Sequence, residues 1–214
     1  MTATFATVHA ATAGPVTPGR PPAVLRTADG AVLALDVDRW RAAPDDVERA
    51  LLAAVADPVL DVGCGPGRIA AALAADGRAV LGIDPAPGAV AEAVGRGAPA
   101  LCRSVFGPLP GEGRWSTVLL LDGNVGIGGV PLALLRRVAQ LLGRGGQAVV
   151  EVEPPGRGDE QLTVRVEVDD VVGPWFPWAR VGADGWPALA AAVGLVPVGF
   201  DVGDGRWFAR AVRP

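Results

Sequence analysis

Along residues 59–153, short and almost wholly apolar runs alternate with stretches in which apolar residues recur every three to four positions. The first kind reads as buried strands: 59–62, 79–83, 100–102, 116–121 and 147–153. The second kind reads as helices over 68–75, 87–95 and 131–142, with Pro at the start of the last two and Asp76-Gly77 closing the first. Strands and helices in strict alternation predict a parallel sheet with helices on both faces.

Outside this core the period changes. Residues 24–37 read as strand, turn, strand about Asp29-Gly30. A helix opens at Pro44-Asp45-Asp46 and runs to about Ala56, acidic where the helix dipole favours it. Leu162 to Val168 alternates apolar and polar, as a half-solvated antiparallel strand does, with Val171-Val172-Gly173 as its returning partner. Pro174 to Arg180 reads as a stiff aromatic loop pinned by Pro174 and Pro177. A helix over 184–193 ends at Gly194. Strands over 195–202 and 206–212 form a hairpin about Gly203-Asp204-Gly205. Met1 to Pro22, built of Thr, Ala, Pro and Gly, has no apolar period and is expected to be disordered.

Composition narrows the class. With 214 residues, half of them hydrophobic, the chain fits one domain with a full core plus a tail. A net charge of −4 argues against a nucleic-acid partner. No apolar run approaches the ~18 residues of a membrane helix, and the N-terminus lacks the pattern of a secretory signal. These features predict a cytoplasmic protein with no membrane partner. The 19 basic residues are all Arg, Tyr is absent, and the single His is His9. Cys64 and Cys102 lack metal-ligand spacing and read as small buried thiols, so no metal is expected.

The chemistry concentrates at Val59-Leu60-Asp61-Val62-Gly63-Cys64-Gly65-Pro66-Gly67-Arg68. A strand, a glycine turn and a helix N-terminus form the unit that cradles nucleotide-like ligands. A dinucleotide fingerprint needs G-x-G-x-x-G. Here the spacing is Gly63-x-Gly65-x-Gly67, and Arg68 stands where the third glycine belongs. Asp61, just before the turn, suits a cationic amine better than a phosphate. Both departures point away from NAD and towards a ligand with an amino-acid end. Asp84 lies near the ~20-residue offset at which such units hold a ribose.

Asp61 to Gly67 resembles the first motif of the class I S-adenosylmethionine-dependent methyltransferases. Val80-Leu81-Gly82-Ile83-Asp84 resembles that family's second strand, and Trp115 to Asn124 and Leu141 to Glu153 its fourth and fifth strand regions. The resemblance covers roughly residues 45–153. It implies an α/β fold with a doubly wound, seven-stranded, mostly parallel sheet (the Rossmann-like methyltransferase fold) and a C-terminal antiparallel hairpin. It implies a methyltransferase domain over 23–214, with a cap at 23–57, a cofactor-binding core at 58–153, a substrate-side flap at 154–181 and a C-terminal helix and hairpin at 182–214. It implies S-adenosyl-L-methionine as cofactor. Asp61, Gly63, Cys64, Gly65, Gly67, Asp84, Pro85, Ser104, Val105, Phe106, Asp122 and Asn124 are the expected binding residues. Asp84 faces the ribose hydroxyls, Ser104 to Phe106 border the adenine, and Asp122 and Asn124 lie near the methionine end.

A small-molecule acceptor is expected, covered by Trp175, Phe176 and Trp178, with Arg180 available to an anionic group. Trp40 is either an anchor of the cap or a ligand contact. Without Tyr or a domain His, a general base must be Asp, Glu or Cys, and Asp122 is the first candidate, with Glu151 and Glu153 behind it. The family's Asn/Asp-Pro-Pro-aromatic pattern of amide and adenine methylation is absent after the fourth strand. Two rival readings remain: a cofactor-binding protein of the same fold without turnover, and an NAD-dependent oxidoreductase. Oligomeric state is not legible.

Overall fold

The computed structural model describes residues 23–214; the expected disordered tail and His9 lie outside them. In chain order the N-terminal segment forms β1 (Val24–Thr27), β2 (Val32–Ala34), α1 (Val37–Arg41) and α2 (Asp46–Ala53). The central segment forms β3 (Val59–Val62), α3 (Arg68–Ala75), β4 (Val80–Asp84), α4 (Pro87–Gly95), β5 (Ala100–Cys102), β6 (Trp115–Leu120), α5 (Pro131–Leu141) and β7 (Leu142–Val152). The remainder forms β8 (Glu160–Val168), β9 (Val171–Val172), β10 (Phe176–Arg180), α6 (Trp186–Ala191), β11 (Val196–Gly203) and β12 (Arg206–Val212).

The main sheet has seven strands in the order β11-β12-β7-β6-β3-β4-β5. The five strands from β7 to β5 run parallel, and β12 inserts antiparallel between β7 and β11. This is the expected fold. Its apolar runs are continuous because both faces are covered. Leu60, Val62, Val118, Leu120 and Val150 pack on one side with Leu134, Val138 and Trp186. Their neighbours Val59, Leu119 and Val149 pack on the other with Leu51, Ile69 and Phe208. Strand period two thus sorts one sequence into two cores. Strand order reverses between β3 and β6, which opens a crevice at their carboxyl ends.

A second, antiparallel sheet has the order β10-β8-β1-β2, with β9 on β8. β1 pairs with β8 through Leu25 and Val166, and β10 pairs with β8 through Trp178 and Leu162. Segments far apart in sequence therefore form one lid. Its inner face is Leu25, Val164, Val166, Val168 and Trp178, all buried.

Several local expectations are corrected. The stretch 174–180 is not a loop throughout: Phe176–Arg180 is strand β10, and Pro177 is accommodated because β10 is an edge strand that need not donate outward. The first hairpin stops at Ala34, and 37–41 is helical, capped by the Asp36 carboxylate accepting from Arg39 N at 3.0 Å. β7 begins at Leu142, before the expected 147, with an irregular register that skips from Leu142 to Gln147 against β6. Cys64 is buried, but Cys102 is exposed because β5 is an edge strand. Among the described residues no helix is long and apolar enough to cross a membrane.

Candidate active site

The crevice at the carboxyl ends of β3, β4 and β6 opens into a cleft of about 750 Å³ roofed by the lid sheet. One half is built from the glycine turn. Gly63, Gly65 and Gly67 all have positive φ, and the amides of Gly63 and Cys64 both donate to Ile83 O, at 2.8 and 3.1 Å. The three glycines do different jobs. A Cβ on Gly63 would lie 2.6 Å from Asn124 Nδ2, and one on Gly67 2.5 Å from Ala93 Cβ in α4. At Gly65 a Cβ would meet nothing within 4 Å: it faces the open cleft, where a ligand would lie.

Two carboxylates flank the turn. Asp84 ends β4, accepts from Gly65 N at 3.1 Å and from Ala86 N at 2.8 Å, and is raised above the ordinary carboxylate value by burial, against those two bonds. Asp61 is fully enclosed, its Oδ2 has no hydrogen-bond partner, and burial pushes its pKa up to about 7 against the pull of Arg68. A buried carboxylate oxygen is thus left without a partner beside an open glycine turn. Asn124 donates its Nδ2 to Val62 O (2.9 Å) and Gly63 O (3.0 Å), so it braces the turn from the end of β6.

The expected residues Asp61, Gly63, Cys64, Gly65, Asp84, Pro85, Ser104, Val105, Phe106, Asp122, Asn124, Phe176, Trp178 and Arg180 all line the cleft. Gly67 and Trp175 do not. Gly67 packs α3 on α4, and Trp175 is 46% exposed with the Arg165 guanidinium 4.7 Å over its ring. Val105 is buried, and Phe106 is exposed at the cleft edge. Cys64 is buried, and burial, with Asp61 and Asp84 nearby, drives its thiol well above the ordinary value.

An ion network at the cleft floor was not foreseen. Arg68, 4% exposed, bonds Glu48 through Nη1 and Asp122 Oδ2 through Nη2 at 2.5 Å. Glu48 also takes Arg39 at 2.8 Å and Arg206 at 3.0 Å, and Arg206 forks onto Glu151 at 2.7 and 2.8 Å. Burial would raise Glu48, yet the hydrogen bonds from Arg68 and Arg39 hold it down at about 2. Asp122 sits at φ 53° with its amide on Glu151 at 2.6 Å, and burial raises its pKa against Arg68. Each candidate base is thus already ion-paired: Asp122 with Arg68, Glu151 with Arg206, Glu153 with Arg180 at 2.9 Å. Among the described residues no cluster of three or more His, Cys, Asp or Glu is placed to hold a metal ion.

Residues 59–146 match a family described as a methyltransferase domain. No curated protein matches the chain. Among solved structures, a SAM-dependent methyltransferase from Bacteroides fragilis, in complex with S-adenosyl-L-homocysteine, is similar at TM-score 0.76 and 22% identity, over 98% of this chain and 92% of that one. A 1,6-didemethyltoxoflavin-N1-methyltransferase from Burkholderia thailandensis is similar at TM-score 0.55 and 19% identity, over 72% of this chain and 70% of that one. An amino pentose methyltransferase of calicheamicin biosynthesis from Micromonospora echinaspora is similar at TM-score 0.59 and 21% identity, over 85% and 98% of the two chains.

Proposed function

We propose, from the match of residues 59–146 to a family described as a methyltransferase domain, that the protein methylates a small molecule held between the glycine turn and the lid sheet. S-adenosylmethionine, when bound, supplies a methyl group on a sulfonium, an electrophile that needs no activation by the protein. The chain's own part is then to bind, align and exclude water.

The observation that carries this reading is Asp61 Oδ2, an unpartnered carboxylate oxygen in a closed site beside the open face of Gly65. It offers an acceptor to an amino-acid ammonium. Asp84 keeps lone pairs free beyond its two backbone bonds and faces the cleft where ribose hydroxyls would lie. Val105 and Phe106 supply apolar surface for a purine, and Asn124 acts as a brace for the turn more than as a direct ligand. The amino-acid end would lie near Asp61 and Asp122, at the carboxyl ends of β3 and β6. In this assignment 23–57 and 154–181 jointly form the cover over the core 58–153, and the similar structures of a 1,6-didemethyltoxoflavin-N1-methyltransferase and an amino pentose methyltransferase support a small acceptor.

Calorimetry with S-adenosylhomocysteine and with NAD tests the cofactor, with micromolar binding of the first and none of the second expected. A second reading, a binding protein without turnover, is favoured by one observation: Asp122, Glu151 and Glu153 all face arginines. Release of S-adenosylhomocysteine with an acceptor panel decides between them.

A further inference from the structure

We propose that the acceptor half of the cleft selects a neutral, flat and largely apolar molecule, and excludes small anions and cations. This rests on the glycine-turn half being the cofactor's. Two independent features of the acceptor half carry the inference.

The first is its surface. Leu33, Leu35, Val37, Trp40 and Phe176 all line the cleft and are only half-buried, although they belong to the lid's apolar cluster. α1, which carries Val37 and Trp40, has no buried residue at all. Apolar side chains gathered around a chamber yet left partly open offer contact area that a nonpolar guest would complete. Phe176 and Trp178 meet edge to face, with centroids 6.1 Å apart and planes at 80°. They present ring surfaces at two orientations, which suits a planar guest.

The second is that the charged groups around this half are already matched. Arg180 lies 2.9 Å from Glu153 and 3.4 Å from Glu160. Arg206 is forked onto Glu151, and Arg68 holds Asp122. An anionic acceptor would have to take Arg180 from two carboxylates, and a cationic one would have to take Glu153 from Arg180. Either exchange strands a partner in a partly desolvated site. Arg103, Asp61 and Asp84 lie on the cofactor half, where Arg103 N donates to Asp84 O at 3.1 Å. The sequence-based assignment of Arg180 to an anionic substrate group is therefore replaced: its carboxylate partners are the protein's own.

The test uses the full chain and three probes of one size: naphthol, naphthoate and naphthylmethylammonium. S-adenosylhomocysteine is titrated first by calorimetry. Each probe is then titrated into the saturated protein. Naphthol is expected to bind about tenfold tighter than either ion. In Glu153→Gln, which frees one side of Arg180, naphthoate is expected to gain several-fold while naphthol stays unchanged. Equal or tighter binding of a charged probe by the wild-type chain, or no binding of naphthol, overturns the inference while leaving the cofactor reading intact. Failure of S-adenosylhomocysteine to bind in the first titration overturns the cofactor reading, and the inference falls with it.

Discussion

The amide of Gly65 donates to Asp84 Oδ2 at 3.1 Å, so the glycine turn after β3 and the acidic end of β4 form one unit. The other oxygen takes Ala86 N at 2.8 Å. Asp84 is therefore both a scaffold and a proposed ligand, and the two roles separate by substitution. Asp84→Ala is expected to lower S-adenosylhomocysteine affinity at least tenfold and to cost roughly 1–3 kcal/mol of stability, since the buried amide of Ala86 and the half-buried amide of Gly65 lose their acceptor. Asp84→Asn, which keeps an acceptor oxygen, is expected to recover most of the stability and little of the affinity. Calorimetry and thermal melts on both variants check this. An unchanged dissociation constant in Asp84→Ala reduces the residue to a turn former.

The three turn glycines are expected to fail in different ways. Gly67→Ala drives a methyl into Ala93, with the Ala93 backbone Cα itself at 2.8 Å, and should lower the melting temperature sharply. Gly65→Ala meets open space and pays only the cost of a left-handed backbone at φ 52°, of order 1–2 kcal/mol. Its loss should appear chiefly in cofactor affinity. Comparable melting temperatures for the two variants would contradict this division.

The sequence exposes those features whose causes are local. β3 and α4 appear with their exact ends because an apolar run and a proline-started helix are written in adjacent residues. Asp61, the glycines and Asp84 are legible for the same reason: one strand–turn–helix–strand unit holds them all. The lid sheet is not legible, because the pairing of Leu25 with Val166 leaves no mark near either residue. α1 escapes notice because its five residues are too few to set a helical period, and it is tied down by Asp36, Arg39 and Arg41. The ion network is hidden by distance: Glu48 meets Arg68 across 20 positions and Arg206 across 158. Arg68 itself carried a signal, since it replaces a glycine at a packed turn, but nothing nearby identified its partners.

Asp61 is expected to make cofactor binding depend on pH. Its folded-state value rises from the ordinary 3.8 to about 7, chiefly through burial. A raised acid holds its proton more tightly in the folded chain, so the ligand-free protein loses stability as pH climbs through that window. An ammonium ligand needs the ionised form. S-adenosylhomocysteine affinity is therefore expected to rise from about pH 5.5 to pH 8 with proton release, and Asp61→Asn should bind weakly with little pH dependence. The same variant, without ligand, should be more stable than wild type at pH 8. Calorimetry in buffers of different ionisation enthalpy reads the proton directly, and a flat profile in the wild type would refute the assignment.

Arg68 and Glu48 are expected to be strongly coupled. Removing the guanidinium leaves Glu48, 1% exposed, with one fewer partner in a buried site. Arg68→Met should cost about 3–5 kcal/mol, and adding Glu48→Gln should recover part of it, so that the double variant loses less than the sum. Glu48, held down at about 2, contributes stability above its ordinary 4.5 and loses it as pH falls towards 2. Arg68→Met should therefore unfold at a higher pH than wild type in an acid titration. Strictly additive losses would show that the two side chains act independently.

The last prediction separates two tryptophans that the sequence treats alike. Trp175 is exposed on the outside of the lid, beside Arg165, and does not reach the cleft. Trp178 is 8% exposed, lines the cleft, and lies so close to Gly126 that a Cβ there would come to 2.5 Å from its ring. Its ring thus spans the lid's apolar face and the acceptor chamber. Trp175→Ala should leave stability, cofactor affinity and methyl transfer near wild type. Trp178→Ala should cost about 3–5 kcal/mol through the cavity it leaves. Phe at 178 keeps most of that packing and is the informative change. With Trp178→Phe the S-adenosylhomocysteine dissociation constant should hold, because Asp61, Gly65 and Asp84 are untouched, while methyl transfer falls through a weaker acceptor KM. If cofactor affinity drops in step with transfer, the lid acts on the cofactor half as well, and the acceptor chamber cannot be confined to the side of Trp40 and Phe176.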